Sequence, residues 1–472
     1  MNSPELFIGL NLFLVLYLAW NCSRTFQRSN FAWLQPPVLA SILHFGVQYA
    51  FPNVRYVVNS EWHELSKFLP STEIFLHLNN AMLAIVVAAV GMWIGYGSRI
   101  AESISKFLTN QLRHISIMRS DFEINFWTII VLIAMGIAAP ILQIQMGVFG
   151  YFSDGEGLLK AQAISQWINL LSSGGKLALL VLSVAIFSER YRRNQIVRAL
   201  FILLLLFQVF VGLIGGFKSQ VFMPFLFVGV GYYLVKHRIS FRILIIAAVA
   251  LVLSYVLVEP LRRARFSNPT LDNRDIYSVV NTALQSFANT FEALQDDKRP
   301  SDFTIGKLQQ RVDLTTVTAV SLQFADNGQV NELTAPKFLQ NIVLIPFHAF
   351  IPRFLWDEKA LANDGWWFSV YVLGRPFNTN SSTAMGPVSY LYFAGGHVLV
   401  FLGFWAIGLF QQVYFRTFAK GQIGSWIVYL GVLYPIVAIE SNVAASGAGV
   451  LRLIPFLLIA QSLVVKRSKK SS

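Results

Sequence analysis

Of the chain's 472 residues, 55% are hydrophobic and only 13% charged, against about 25% charged in an ordinary soluble domain. That balance excludes a soluble enzyme or a disordered tail, and recurring apolar runs of bilayer-spanning length point to an all-α polytopic membrane protein. The net charge of +13 reads as topogenic charge flanking spans rather than as a nucleic-acid face. The lipid bilayer is therefore an expected partner and nucleic acid is not.

Hydropathy places about eleven spans near 5–21, 34–50, 74–97, 125–146, 173–187, 199–216, 219–235, 242–258, 395–415, 424–440 and 449–465. The first has no basic run ahead of it and no small-residue cleavage site behind it, so it reads as retained rather than as a signal peptide. The single cysteine, Cys22, falls at its end and reads as apolar filler. Alternate connections carry most of the lysine and arginine, among them Arg24, Arg28, Arg99, Lys106, Arg190, Arg192 and Arg193, and the tail adds Lys466, Arg467, Lys469 and Lys470. The opposite connections hold only Arg55, Lys67, Lys160 and Lys218 outside the long loop. The positive-inside rule then puts the N-terminus outside and the C-terminus in the cytoplasm.

Three divisions follow: an N-terminal bundle of about eight spans (1–259), a large extracytoplasmic loop (260–384), and C-terminal spans with a basic tail (385–472). Two amphipathic helical patterns lie in the loop. One is DIYSVVNTALQSFANTFEALQ, with Val279, Ala283, Phe287, Phe291 and Leu294 on one face; the other is KLQQRVDLTTVTAVSLQFA, with Leu308, Val312, Val317 and Val320. They read as a cap packed on the membrane surface or on each other.

Beyond them NIVLIPFHAFIPRFLW, 341–356, carries two prolines and is too short and broken for an ordinary span. It reads as a re-entrant segment, because non-helical backbone at membrane depth is tolerated only inside protein or along a water-filled cavity. Its exit, PRFLWDEK, gathers Arg353, Trp356, Asp357, Glu358 and Lys359.

Cations available to an outward cavity include Lys218 in GGFKSQ, Arg262, Arg263 and Arg265 in EPLRRARF, and Arg353, Lys359 and Arg375 in the second half of the loop. Arg452 lies a turn inside the last span. Such a set suits an anionic lipid-linked substrate, since charge inside a span is costly and commonly functional. Each has a structural alternative: lipid-phosphate contact for the arginine cluster, snorkelling for Lys218, pairing with Glu440 for Arg452, and a helix-end carbonyl contact for Arg353.

Walker A, HExxH, paired CxxC and GxSxG motifs are absent. EWHE, Glu61 to Glu64, lacks a second histidine nearby, and Asp296–Asp297 reads as a solvated turn. Neither metal nor cofactor is expected, so the substrate must arrive already activated.

The outward basic cavity, one oversized outer loop late in the chain, GGFKSQVFMPFLF and IPRFLWDEKALA together resemble the Wzy-type repeat-unit polymerases of O-antigen and exopolysaccharide synthesis. In the second element Pro352, Arg353 and Lys359 match the family's Pro-Arg and lysine positions; in the first, Lys218 stands where arginine is commoner. Arg375 and Gly386 fit an arginine-then-glycine spacing of its outer loops.

The resemblance implies a metal-independent, inverting glycosyltransferase with a GT-C-like bundle in the bacterial cytoplasmic (inner) membrane. It would transfer a growing glycan from one undecaprenyl-diphosphate carrier to a new lipid-linked repeat unit on the outer face, alongside a chain-length regulator and a flippase. Phosphate and substrate binding then fall to Lys218, Arg262, Arg263, Arg265, Arg353, Lys359, Arg375 and Arg452, with Trp356 stacking on a sugar. Proton handling falls among Asp357, Glu358, His348 and Glu259. Two alternatives stay open: an O-antigen ligase, and a polytopic transporter or flippase of anionic lipid-linked substrates.

Overall fold

A computed structural model describes residues 3–29, 31–58, 65, 69–112, 123–150, 164–238, 240–267, 274–295, 309, 312–331, 334–351, 355–356, 359, 364–377, 383–419, 423–437 and 443–464. Among them the chain is all-helical. Eight helices are long and apolar enough to cross a membrane, which makes this a multi-pass membrane protein.

Five of the eight come early. They are α1 (Pro4–Phe26), α4 (Ile74–Tyr96), α6 (Phe126–Gln145), α7 (Ser165–Phe187) and α8 (Gln195–Gly215). Between the first two, α2 (Pro36–Ala40), a π-helical stretch Ser41–Ala50 and α3 (Phe51–Val58) follow without interruption. The amphipathic α5 (Arg99–Leu112) follows α4.

Next come α9 (Lys218–Lys236), whose polar start leaves it short of a full apolar span, and the long α10 (Phe241–Ser267). The loop region contributes α11 (Ile276–Gln295), α12 (Leu314–Asp326), α13 (Phe338–Val343), α14 (Ile345–Phe350) and α15 (Asp364–Trp367), the last running into a π-turn, Phe368–Val372. Finally come α16 (Gly386–Phe418), the shorter α17 (Ile423–Val437) and α18 (Val443–Val464). α10, α16 and α18 complete the eight, which cover eight of the eleven segments expected to span; 34–50, 219–235 and 424–440 fall instead on the broken α2 and π-helical stretch, on α9 and on α17, which are not among the eight.

The chain divides into two compact units. The first comprises Met1–Ile115, Asp302–Gly421 and Val432–Ile454; the second comprises Ser116–Ser301, Gln422–Gly431 and Pro455–Ser472. The loop's two amphipathic helices belong to different units, and each is packed within its own. In the second unit α11 lies on α6, α8 and α10, and its Val279 and Ala283 join Ile144, Phe149, Ile214 and Leu261 in an apolar core, as the helical periodicity requires. In the first unit α12 packs on α4 and α16, and Asp313 caps its start, so the second pattern is interrupted at that residue.

The first unit is built on α4 against α16. A Cβ on Gly95 would come within 2.0 Å of the Trp405 carbonyl oxygen, and one on Gly408 within 2.0 Å of that of Met92, so these backbones touch only because both residues are glycine. Farther along α16 the helix breaks at Gly396, whose φ of 62° and ψ of −158° suit glycine alone.

Candidate functional site

In the first unit, Pro346 sits in the first turn of α14, directly after the turn at Leu344 that ends α13. A proline there lacks the N–H that an initial turn would leave unpaired, so the sequence favours restarting a helix at this point. The six-residue α14 then exposes carbonyls at its C-terminal end, and two basic side chains meet them. Lys359 Nζ donates to the carbonyls of His348 (2.8 Å) and Ile351 (2.7 Å). From α18, Arg452 Nε donates to Ala349 (2.9 Å) and Nη2 to His348 (3.0 Å).

The His348 imidazole lies flat on the Trp356 indole, centroids 5.0 Å apart and planes 6° from parallel. His348 is 7% exposed, and its Nε2 has no hydrogen-bond partner among the described residues. Burial, and secondarily the Lys359 ammonium, hold its pKa below the usual imidazole range. The ring is therefore neutral at physiological pH and able to accept a proton. Thus His348, the PRFLWDEK residues Trp356 and Lys359, and Arg452 of the last span meet at one helix end. The described contacts of Lys359 and Arg452 are with backbone, the arrangement weighed above for Arg353, and Arg452 keeps Nη1 beyond them.

Arg375 is exposed on the segment after the π-turn, where its backbone N–H bonds the Ser369 carbonyl at 3.0 Å. Arg353, Asp357 and Glu358 lie outside the described residues, as do EWHE, Asp296, Asp297 and Glu440.

The second unit places Lys218 and Arg262 at one turn. Gly216 caps α8 in the left-handed conformation (φ 73°), Phe217 precedes α9, and Lys218 is the first residue of α9. Arg262 closes its guanidinium on the Gly216 carbonyl through Nε (3.0 Å) and Nη2 (2.8 Å). The GGFK element is therefore a tight interhelical turn clamped by an arginine. Arg263 and Arg265 follow on α10; their side chains, like that of Glu259, lie outside the described set.

Sequence reasoning missed two polar groups in the first unit. Arg55 Nη2 donates to Asp313 Oδ2 at 2.5 Å with side-chain exposures of 5% and 2%. The Tyr56 hydroxyl joins the same oxygen at 2.8 Å, and the other oxygen accepts the Thr316 N–H at 3.0 Å. The partners are 258 positions apart, so only the capping pattern DLTT was visible locally. Asp364, 4% exposed beside an aromatic core that includes Phe338, Trp367 and Tyr390, has its pKa pushed up to about 7 by burial.

Comparison of the chain with protein-family models, with curated proteins and with solved structures finds no match.

Proposed function

We infer that the chain is a membrane glycosyltransferase that polymerises lipid-linked oligosaccharide repeat units on the outer face of the bacterial cytoplasmic membrane. The observation that carries this reading is the buried His348, neutral and stacked on Trp356, at a helix end held by two basic side chains inside an apolar helical protein. A hydroxyl nucleophile needs a proton acceptor, a sugar ring suits an aromatic face, and a departing diphosphate needs cations in a low-dielectric setting.

In this reading His348 Nε2 takes the acceptor hydroxyl proton as that oxygen attacks the anomeric carbon of the donor. The bond from that carbon to the diphosphate oxygen breaks, and its electron pair leaves with undecaprenyl diphosphate. Attack opposite the leaving group inverts the anomeric centre. Arg353 holds the diphosphate through its fork of donors, and the Arg452 Nη1 group and the field of Lys359 add to the positive potential. The finer topology goes with it: eleven spans, an outer loop over 260–384, an outer N-terminus and a cytoplasmic C-terminus. A chain-length regulator and a flippase act beside it.

The test is the glycan of a deletion strain. Loss of polymer with single repeat units retained supports the reading; polymer left on the carrier lipid replaces it with a ligase. The break at Gly396 inside α16 favours a transporter as the second reading, since discontinuous helices are common there. Failure of lipid-linked units to reach the outer face would establish that instead.

A further inference from the structure

The site above leaves α7 unused. From Leu177 to Ala185 every residue of this helix is buried, against α6, α8 and α9, so this half has no face turned to lipid. Lys176 stands where that enclosed half begins, at the midpoint of the 23-residue helix, and it is exposed. Among the described residues it has neither hydrogen bond nor ion pair.

At 1.5 Å per residue, about 16 Å of helix lies on either side, too far for a four-carbon stem to reach an interface. Asn169 is exposed and Ser173 partly so, and positions 169, 173 and 176 share one helical face. Ser173 Oγ bonds the Asn169 carbonyl at 2.8 Å. From α8, Gln208 Nε2 donates to the Gly175 carbonyl at 2.7 Å, next to the lysine. Gly175 also lets α6 approach, since a Cβ there would fall 2.8 Å from the Gly136 Cα. A helix enclosed along one half and polar along one face of the other matches the setting in which intramembrane charge persists, a face turned to the bundle interior or to a water-filled cavity.

We propose that Asn169, Ser173 and Lys176 line a water-filled recess within the second unit, and that Lys176 binds a phosphate or diphosphate oxyanion there. The ammonium supplies the charge and the Asn169 side-chain amide supplies donors for further oxygens, while the Ser173 hydroxyl would have to leave the Asn169 carbonyl to add another. The site stands apart from the reaction inferred above and would exist equally in a transporter.

The test uses the full chain in vesicles with Cys22→Ala and single cysteines at Asn169, Ser173 or Leu203, the last exposed on the apolar α8. Each is modified with a sulfonate-bearing and with a trimethylammonium-bearing thiosulfonate reagent. Asn169→Cys and Ser173→Cys should react with both and Leu203→Cys with neither. Ser173→Cys should favour the anionic reagent by about tenfold, a typical focusing effect of one-signed clefts. Lys176→Gln should abolish that preference while preserving access, and Lys176→Arg should keep it.

Millimolar inorganic pyrophosphate should slow anionic labelling only when the lysine is present. The same protection in phosphatidylglycerol vesicles without pyrophosphate, and not in phosphatidylcholine, would identify a lipid headgroup as the source. Labelling of Ser173→Cys no faster than that of Leu203→Cys would overturn the recess, and a reagent preference unchanged in Lys176→Gln would overturn the anion site.

Discussion

Arg452 in the first unit and Lys176 in the second each put a cation inside an apolar helix, and the two are accommodated in opposite ways. Arg452 spends Nε and Nη2 on the carbonyls of Ala349 and His348, so its charge closes a helix end. Lys176 has no described partner and is exposed beside other polar groups. A charge in a span is therefore not one signal but two, separated by what the nitrogens meet. Arg55 is a third case, matched with a carboxylate in the interior.

The largest effect should come from breaking that buried pair. Arg55→Met leaves Asp313 uncompensated, and removing one partner of a buried pair costs about 3–5 kcal/mol. The melting temperature in detergent should fall sharply. Adding Asp313→Asn, which keeps a capping side chain for α12, should restore most of it. A single mutant as stable as wild type would show that the pair holds nothing together.

Asp364 should give the next effect, and its sign is fixed by the direction of the shift. A carboxyl raised from 3.8 to about 7 by burial binds its proton more tightly when folded. Its stabilising contribution is full below about pH 4 and is lost as pH rises to about 7, by about 1.4 kcal/mol per unit within that window. Asp364→Asn should match wild type at pH 4 and melt higher at pH 8. Equal pH slopes for the two proteins would contradict the buried carboxyl.

The contrast between the two intramembrane cations is sharpened by paired substitutions. Arg452→Met removes two charge-assisted bonds and should cost about 1.5–3 kcal/mol, with Arg452→Lys recovering part. Lys176→Met, which deletes a charge without a described partner, should leave melting unchanged or raise it. Equal losses at both positions would erase the distinction.

The smallest effect is on a pH profile. In the proposed reaction His348 would act as a base only when neutral, and its pKa is lowered, so turnover should persist down to pH values below the ordinary imidazole pKa of about 6.5 and be lost as pH falls through the folded value. Lys359→Gln removes the lesser of the two causes and should move the acid limb up. A downward shift would mean the ammonium does not act on His348.

Much of this was legible because it is local. Apolar runs marked the helices, prolines marked the break at α13–α14, and Gly-Gly before Lys218 marked a turn. The periodicity of Val279 and Ala283 marked the face that α11 buries. What escaped was long-range or averaged away. No local pattern pairs Arg55 with a residue 258 positions on. Lys176 vanished into the mean of an apolar span, although SSGGK carried the same cue that drew attention to Arg452. The start of α16 was read at 395, the site of its break, because the aromatic and polar residues 386–394 dilute the run ahead of it.

The most direct test of the central reading is reconstitution of the purified full-length protein with undecaprenyl-diphosphate-linked repeat units. A ladder of polymer should form in excess chelator, and properly folded His348→Ala should lose it while His348→Gln retains little. Repeat units that stay single with the wild-type protein, or a ladder undiminished in His348→Ala, would contradict the account.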